Sequence, residues 1–112
     1  MELKIYVDGL VKILYGVDKS TNVREIVIAL ARALQIVGSY NIIEILKLNS
    51  NSLQEIQKSY YLMNHRKMRV MSPDEKPLEL LDNYSKYLEL NKTFDIEFHF
   101  IDSNNDLLNH IN

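Results

Sequence analysis

Five basic side chains fall within the first 37 residues: Lys4, Lys12, Lys19, Arg24 and Arg32. Set against Glu2, Asp8, Asp18 and Glu25, they give that stretch a balance of +1, while residues 38–112 sum to −3. Exposed cations select acidic partners and speed their encounter, and this is the strongest chemical signal in the chain. Catalytic chemistry is harder to find. None of the 3 Gly sits in a GxGxxG or GxxxxGK phosphate loop. There is no Cys, hence no thiol nucleophile, disulfide framework or Cys-based zinc site. His65, His99 and His110 lack partners at metal-ligand spacing; His99 reads as a solvated strand position and His65 as a loop residue. Asp74-Glu75 lies between Pro73 and Pro77, where solvation in a turn explains the charges better than acid–base work. Tyr60-Tyr61 could stack on a ligand, but packing beside a short helix is the simpler account. The residues predict no enzyme, no cofactor and no metal.

The elements that must carry the basic residues are legible. Met1–Val7 alternates as a strand, with Leu3, Ile5 and Val7 on one face and Glu2, Lys4 and Tyr6 on the other. Asp8-Gly9 suits a two-residue type I′ turn, whose central residues both need positive φ. Leu10–Val17 alternates back, with Val11, Ile13, Tyr15 and Val17 on one face and Lys12, Leu14 and Gly16 on the other. The outward face of this hairpin is expected to offer Lys4 and Lys12. Asn22 with Glu25 forms a capping-box pattern that opens a helix over Val23–Val37, and Gly38 is its stop signal. Its apolar stripe is Val23, Ile26, Val27, Leu30 and Leu34, while Arg24, Ile28 and Arg32 share another face.

Further along, Tyr40–Leu48 is an apolar strand, with Asn41, Ile43 and Ile45 facing opposite to Ile42, Glu44 and Leu46. Residues 49–66 read as an insert, in which Ser52 and Glu55 could cap a short helix. Lys67–Met71 is a short strand, Ser72–Pro77 a break, and Pro77 opens a short helix to about Tyr87. Phe94, Ile96, Phe98 and Phe100 alternate with Asp95, Glu97 and His99 in a final half-buried strand. The Asn-rich stretch from residue 103 onward reads as a flexible tail after a domain over 1–102. The order ββαβ, insert, β, short α, β predicts an α+β fold. It fits a ubiquitin-like β-grasp: a mixed sheet of about five strands on one main helix, with the last strand central beside the first and the second at the edge.

The 112-residue chain is 46% hydrophobic and 25% charged, which suits one soluble domain. A net charge of −2 argues against nucleic-acid binding. The N-terminus shows no signal-peptide pattern, and no apolar run reaches membrane-spanning length. The expected location is cytoplasmic or nuclear, without membrane insertion. A ubiquitin-type conjugated modifier would need a terminal Gly-Gly, and Leu108–Asn112 lacks it. On residue type alone, the lysines of an edge strand are ordinary protection against strand-to-strand aggregation. Recruitment of an acidic partner strand to that edge is the second reading.

Met1-Glu2-Leu3-Lys4, Val7-Asp8-Gly9, Gly16-Val17, Val27-Ile28-Ala29-Leu30 and Tyr40 with Ile42-Ile43-Glu44 together resemble the Ras-association domain of the N-terminal RASSF (Ras-association domain family) proteins. The resemblance covers about residues 1–44 and returns loosely in the last strand. The chain departs from the family at Ile45-Leu46, where Lys-Trp is usual, at Tyr84, where a Trp is common, and in the insert at 49–66. The resemblance implies a ubiquitin-like adaptor head that binds a GTP-loaded Ras-family small GTPase by pairing its second strand with the GTPase's edge strand. Carried over, Lys4 and Lys12 are the first contact residues, then Arg24 and Arg32, then Lys19. The other reading is a scaffold or self-association module, docking a like domain or a downstream coiled coil through Leu14 and Ile28.

Overall fold

A computed structural model of the chain describes residues 1–48, 68–90 and 94–110. The elements are β1 (Glu2–Val7), β2 (Leu10–Tyr15), α1 (Val23–Leu34), β3 (Tyr40–Leu48), β4 (Met68–Val70), α2 (Pro77–Leu90), β5 (Phe94–Asp102) and a 3-10 helix at Asp106–His110. The strands form one sheet in the order β2-β1-β5-β3-β4. β1 and β5 run parallel, and the other neighbours are antiparallel. This mixed sheet with one main helix on a face is the α+β, ubiquitin-like arrangement that the sequence predicts. β5 is central beside β1, and β2 is an outer strand. The proposed helix signals in the insert, together with Tyr60, Tyr61 and His65, lie outside the described residues.

The hairpin forms as its turn residues dictate: Asp8 has φ 50° and Gly9 φ 79°, so both central positions are left-handed. Leu3, Ile5 and Val7 of β1 meet Val23, Ile26 and Leu30 of α1 in the core, with Ile42, Leu46, Ile96, Phe98 and Phe100 from the other strands. Each such side chain contributes about 1.5–3 kcal/mol on burial, so this stripe-on-sheet contact dominates the fold. Asn22 accepts from the Glu25 N–H at 2.9 Å, and the Glu25 carboxylate accepts from the Asn22 N–H, completing the capping box.

Several elements differ from the sequence reading. β2 stops at Tyr15 rather than Val17, because Gly16 turns left-handed (φ 77°), and Val17 is buried in the core instead of sharing the face of Val11, Ile13 and Tyr15. α1 ends at Leu34 rather than Val37, because Gln35 takes the left-handed conformation (φ 54°) and Ile36 donates back to the Ala31 carbonyl at 3.0 Å. That closure turns Ile36 onto the core and leaves Gly38 outside the helix. α2 reaches Leu90, past the expected Tyr87. Residues 103–110, read as a tail, begin with Ser103 N–H donating to Ser39 O at 2.9 Å and continue into the 3-10 helix.

Candidate protein-interaction surface

The hairpin register decides what β2 presents. Lys4 pairs with Ile13, Tyr6 with Val11 and Glu2 with Tyr15, while Ile5 pairs with Lys12 and Leu3 with Leu14. Paired residues share a face. Leu3 and Ile5 face the helix, so Lys12 and Leu14 do too. Val11, Ile13 and Tyr15 therefore lie with Lys4 on the open face of the sheet. Lys4 and Lys12 are both exposed, but they occupy opposite faces of the hairpin rather than the one outward face expected. Leu14 packs partly buried against the core and is no docking residue, whereas Ile28 is exposed.

The same register sets the direction of the main chain. Across a two-residue turn, Val7 and Leu10 are the hydrogen-bonded closing pair, and such pairs recur at alternate positions. Leu10, Lys12 and Leu14 thus bond to β1, and Val11, Ile13 and Tyr15 turn their N–H and C=O groups outward. Among the described residues no strand takes them, since β2 ends the sheet. Their side chains are also bare: Val11 is 46% exposed, Ile13 41% and Tyr15 75%. This apolar stripe is the part of the surface that sequence reasoning missed. Its signal was available, because Leu3, Ile5 and Val7 facing inward, together with a two-residue turn, force Val11, Ile13 and Tyr15 onto the uncovered side.

The remaining basic residues are dispersed. Lys19 pairs with Asp82 of α2 at 3.0 Å, and Arg24 pairs with Asp74 at 3.1 Å. Arg24 and Ile28 border a small cleft with Tyr40, Asn41, Met71 and Pro73, at the β3–β4 end and away from β2. Arg32 lies in the last turn of α1 and is exposed. Among the described residues, Lys4, Lys12 and Arg32 make no ion pair. The structure puts Lys12 on the outer strand β2 and Lys4 on the neighbouring β1, on opposite faces, and leaves Arg24 elsewhere.

The centre of the open face is furnished differently. Tyr6 stacks on His99 with ring centroids 4.8 Å apart, and His99 Nε2 lies 3.1 Å from Glu97 Oε1. His99 is therefore a partly covered member of a cluster, not the solvated residue expected. Ile43 is fully buried there and shares a shallow hollow with Tyr6, His99 and Leu107 of the 3-10 helix. Among the described residues no group of three or more His, Asp or Glu is placed to hold a metal ion. No helix among them is long and apolar enough to cross a membrane.

A five-strand mixed sheet with one main helix packed on a face and β2 bare at its edge defines an α+β fold of the ubiquitin-like β-grasp kind. No family model matches the chain. It is similar to Ras association domain-containing protein 8 of Mus musculus, with 50% identity over 44 residues, 39% of this chain and 10% of that protein. It is 40% identical over 47 residues to Ras association domain-containing protein 7 of Mus musculus, and equally to that of Homo sapiens, covering 42% of this chain and 13% of each relative. The chain thus spans about a tenth of the length of the curated relatives it matches. These similarities support a Ras-association domain of the RASSF type and an interaction module of that kind.

Proposed function

We propose that this domain is the non-catalytic head of a cytoplasmic signalling adaptor that binds a Ras-family small GTPase in its GTP form. The outward main-chain groups of Val11, Ile13 and Tyr15 receive the GTPase's edge strand, adding it to the sheet beyond β2. Lys12, on the docking strand itself, and Lys4, one strand further in on the other face, meet acidic side chains of the partner. Selectivity for the GTP form comes from the partner, whose switch segment is ordered by the γ-phosphate. Lys19 and Arg24 contribute less, because each already has an intramolecular carboxylate, and Arg32 contributes at longer range.

The observation that carries this reading is the β2 edge, unpaired among the described residues, with Lys12 on that strand and Lys4 on the next. Titration of the chain against a panel of Ras-family GTPases, each loaded with a GTP analogue or with GDP, tests it. At least one analogue-loaded member binds, GDP weakens it, and rising salt weakens it further. Lys12→Glu and Lys4→Glu each reduce affinity by about tenfold or more, a change of roughly 1.4 kcal/mol, with circular dichroism unchanged. Binding that persists undiminished in both variants overturns the surface, and no binding across the panel overturns the partner class.

A further inference from the structure

We propose that the bare edge of β2 is closed, when no other strand occupies it, by the same edge of a second copy of this chain. The pair is antiparallel and centred on Ile13. The outward-facing residues Val11, Ile13 and Tyr15 are symmetric about Ile13. A two-fold axis there sets Ile13 opposite the copy's Ile13, and Val11 opposite the copy's Tyr15. Every outward N–H and C=O of both edges then finds a partner in a single register.

The side chains agree with the backbone. All three point to the open face, all are apolar or aromatic, and none is less than 41% exposed. Joining two copies makes the row Lys4, Ile13, Ile13, Lys4 across the four central strands, flanked by the row Glu2, Tyr15, Val11, Tyr6 and its mirror. The charged ends are thereby held apart by apolar residues of both copies.

Charge also selects the register. Lys12 is the only charged residue in the 6-residue strand. An axis through Lys12 would set two ammonium groups directly opposite, which is unfavourable. An axis through Ile13 instead places each Lys12 opposite the copy's Leu14, on the other face. The usual protections of an edge strand are otherwise missing from β2: it contains no Pro, and its pairing with β1 runs from Glu2↔Tyr15 to Val7↔Leu10 without a bulge.

This inference depends on the edge alone and not on the GTPase reading. Where both hold, self-pairing and GTPase docking exclude one another, so dimerisation regulates access to the docking strand. The test contains no GTPase. Sedimentation of the 112-residue chain over rising concentration is combined with oxidation of two single-cysteine variants, Ile13→Cys and Lys12→Cys. Opposed Ile13 Cα atoms would lie about 5.5 Å apart, within disulfide reach, whereas the two Lys12 Cα atoms would exceed the ~7 Å limit. The expected result is a dimer that dissociates on dilution, cross-links through Ile13→Cys and not through Lys12→Cys, and weakens about tenfold or more in Ile13→Lys. A monomer at every concentration overturns the proposal. So does a dimer that cross-links through Lys12→Cys in preference, or one that Ile13→Lys leaves intact.

Discussion

The two outer strands of the sheet meet the same hazard in opposite ways. Each must expose a row of unpaired main-chain groups or hide it. β4 spans only Met68–Val70 and is bound into an ionic cluster. Arg69 Nη2 lies 2.9 Å from Glu44 Oε2 and 2.8 Å from Glu75 Oε1. The Glu44 side chain is only 2% exposed, and it sits on the helix-bearing face opposite Arg69 in the β3–β4 register. Beyond β4 the turn at 72–76 docks on α1: Val23 N–H donates to Glu75 O at 2.9 Å and Arg24 N–H to Pro73 O at 3.0 Å. Donors that a helix N-terminus leaves orphaned are thus satisfied by the segment that ends the sheet. β2 has no such fixtures. It is twice as long, continuous, apolar on its open side, and carries a single charge. One edge is stabilised by its own chain, and the other is left bare among the described residues.

The largest test breaks the β4 edge. Removing the guanidinium in Arg69→Ala takes away the charge that bridges buried Glu44 and Glu75, a loss of about 3–5 kcal/mol, measured by urea unfolding. Arg69→Lys recovers only part of this, because an ammonium cannot span two carboxylates as a planar fork does. The hydrogen bond to Glu75, together with both neighbouring carboxylates, raises the pKa of Arg69 against the opposing effect of burial, so its charge persists at any working pH. A cost below about 1 kcal/mol for Arg69→Ala, the value of an exposed pair, would place the lock elsewhere.

Glu75→Gln is the next step down. Its carboxylate accepts from Arg69 Nη1 at 3.0 Å and from the Ser72 N–H. A hydrogen bond to a charged group is worth about 1.5–3 kcal/mol, and partial exposure of this carboxylate sets the expected loss near the lower figure, again by urea unfolding.

The same experiment on β2 reads differently. Ile13→Thr and Val11→Thr change stability by no more than about 0.5 kcal/mol, since both side chains are exposed and lie outside the core. Hydrogen exchange sharpens the contrast: the amides of Val11, Ile13 and Tyr15 exchange faster than those of Lys12 and Leu14, at a protein concentration low enough to keep the chain monomeric. Uniform protection along β2 would show the edge to be occupied.

The contrast between the edges was half legible in the sequence. Local rules sufficed for the hairpin, the capping box and the alternation of Phe94–Phe100, because turn chemistry and side-chain period act within a few residues. The alternation of β5 showed a half-buried strand, and its central place came from the β-grasp arrangement as a whole. The register consequence, Lys12 facing the helix side and Ile13 the open side, needed the turn type combined with the face of β1. Arg69, Glu44 and Glu75 were beyond such rules. Their contact joins β3, β4 and the following turn, and nothing local distinguishes a buried Glu44 amid Ile42, Ile43, Ile45 and Leu46 from a solvated one. The ion pairs of Lys19 and Arg24 are long-range in the same sense, and they redistribute charge that composition counts as free.

The smallest effect lies in the loop that carries the chain from the bare edge into α1. Asp18 is fully exposed, yet its carboxylate accepts from the Ser20 hydroxyl and from the Ser20 N–H at 2.8 Å, and it also faces the Thr21 hydroxyl. The Ser20 side-chain bond and then its backbone bond hold the carboxyl below its usual 3.8, because both favour the ionised form. A carboxyl depressed on folding adds stability above its unfolded pKa and loses it as pH falls through the lower folded value. The loop's contribution is therefore constant at neutral pH, begins to decline near 3.8, and is gone below the folded midpoint. Carboxyl NMR titration should give Asp18 a midpoint under 3.8 that returns upward in Ser20→Ala. A midpoint for Asp18 that ignores Ser20→Ala would mean that the Ser20 hydroxyl adds nothing to the turn leading out of β2, which then rests on the Ser20 N–H at the carboxylate and on Thr21, whose N–H donates to Asp18 O at 3.1 Å and whose hydroxyl accepts from the Asp18 N–H at 3.0 Å. In that case the bare edge would be tethered to α1 more loosely than the β4 edge, and the asymmetry between them would widen.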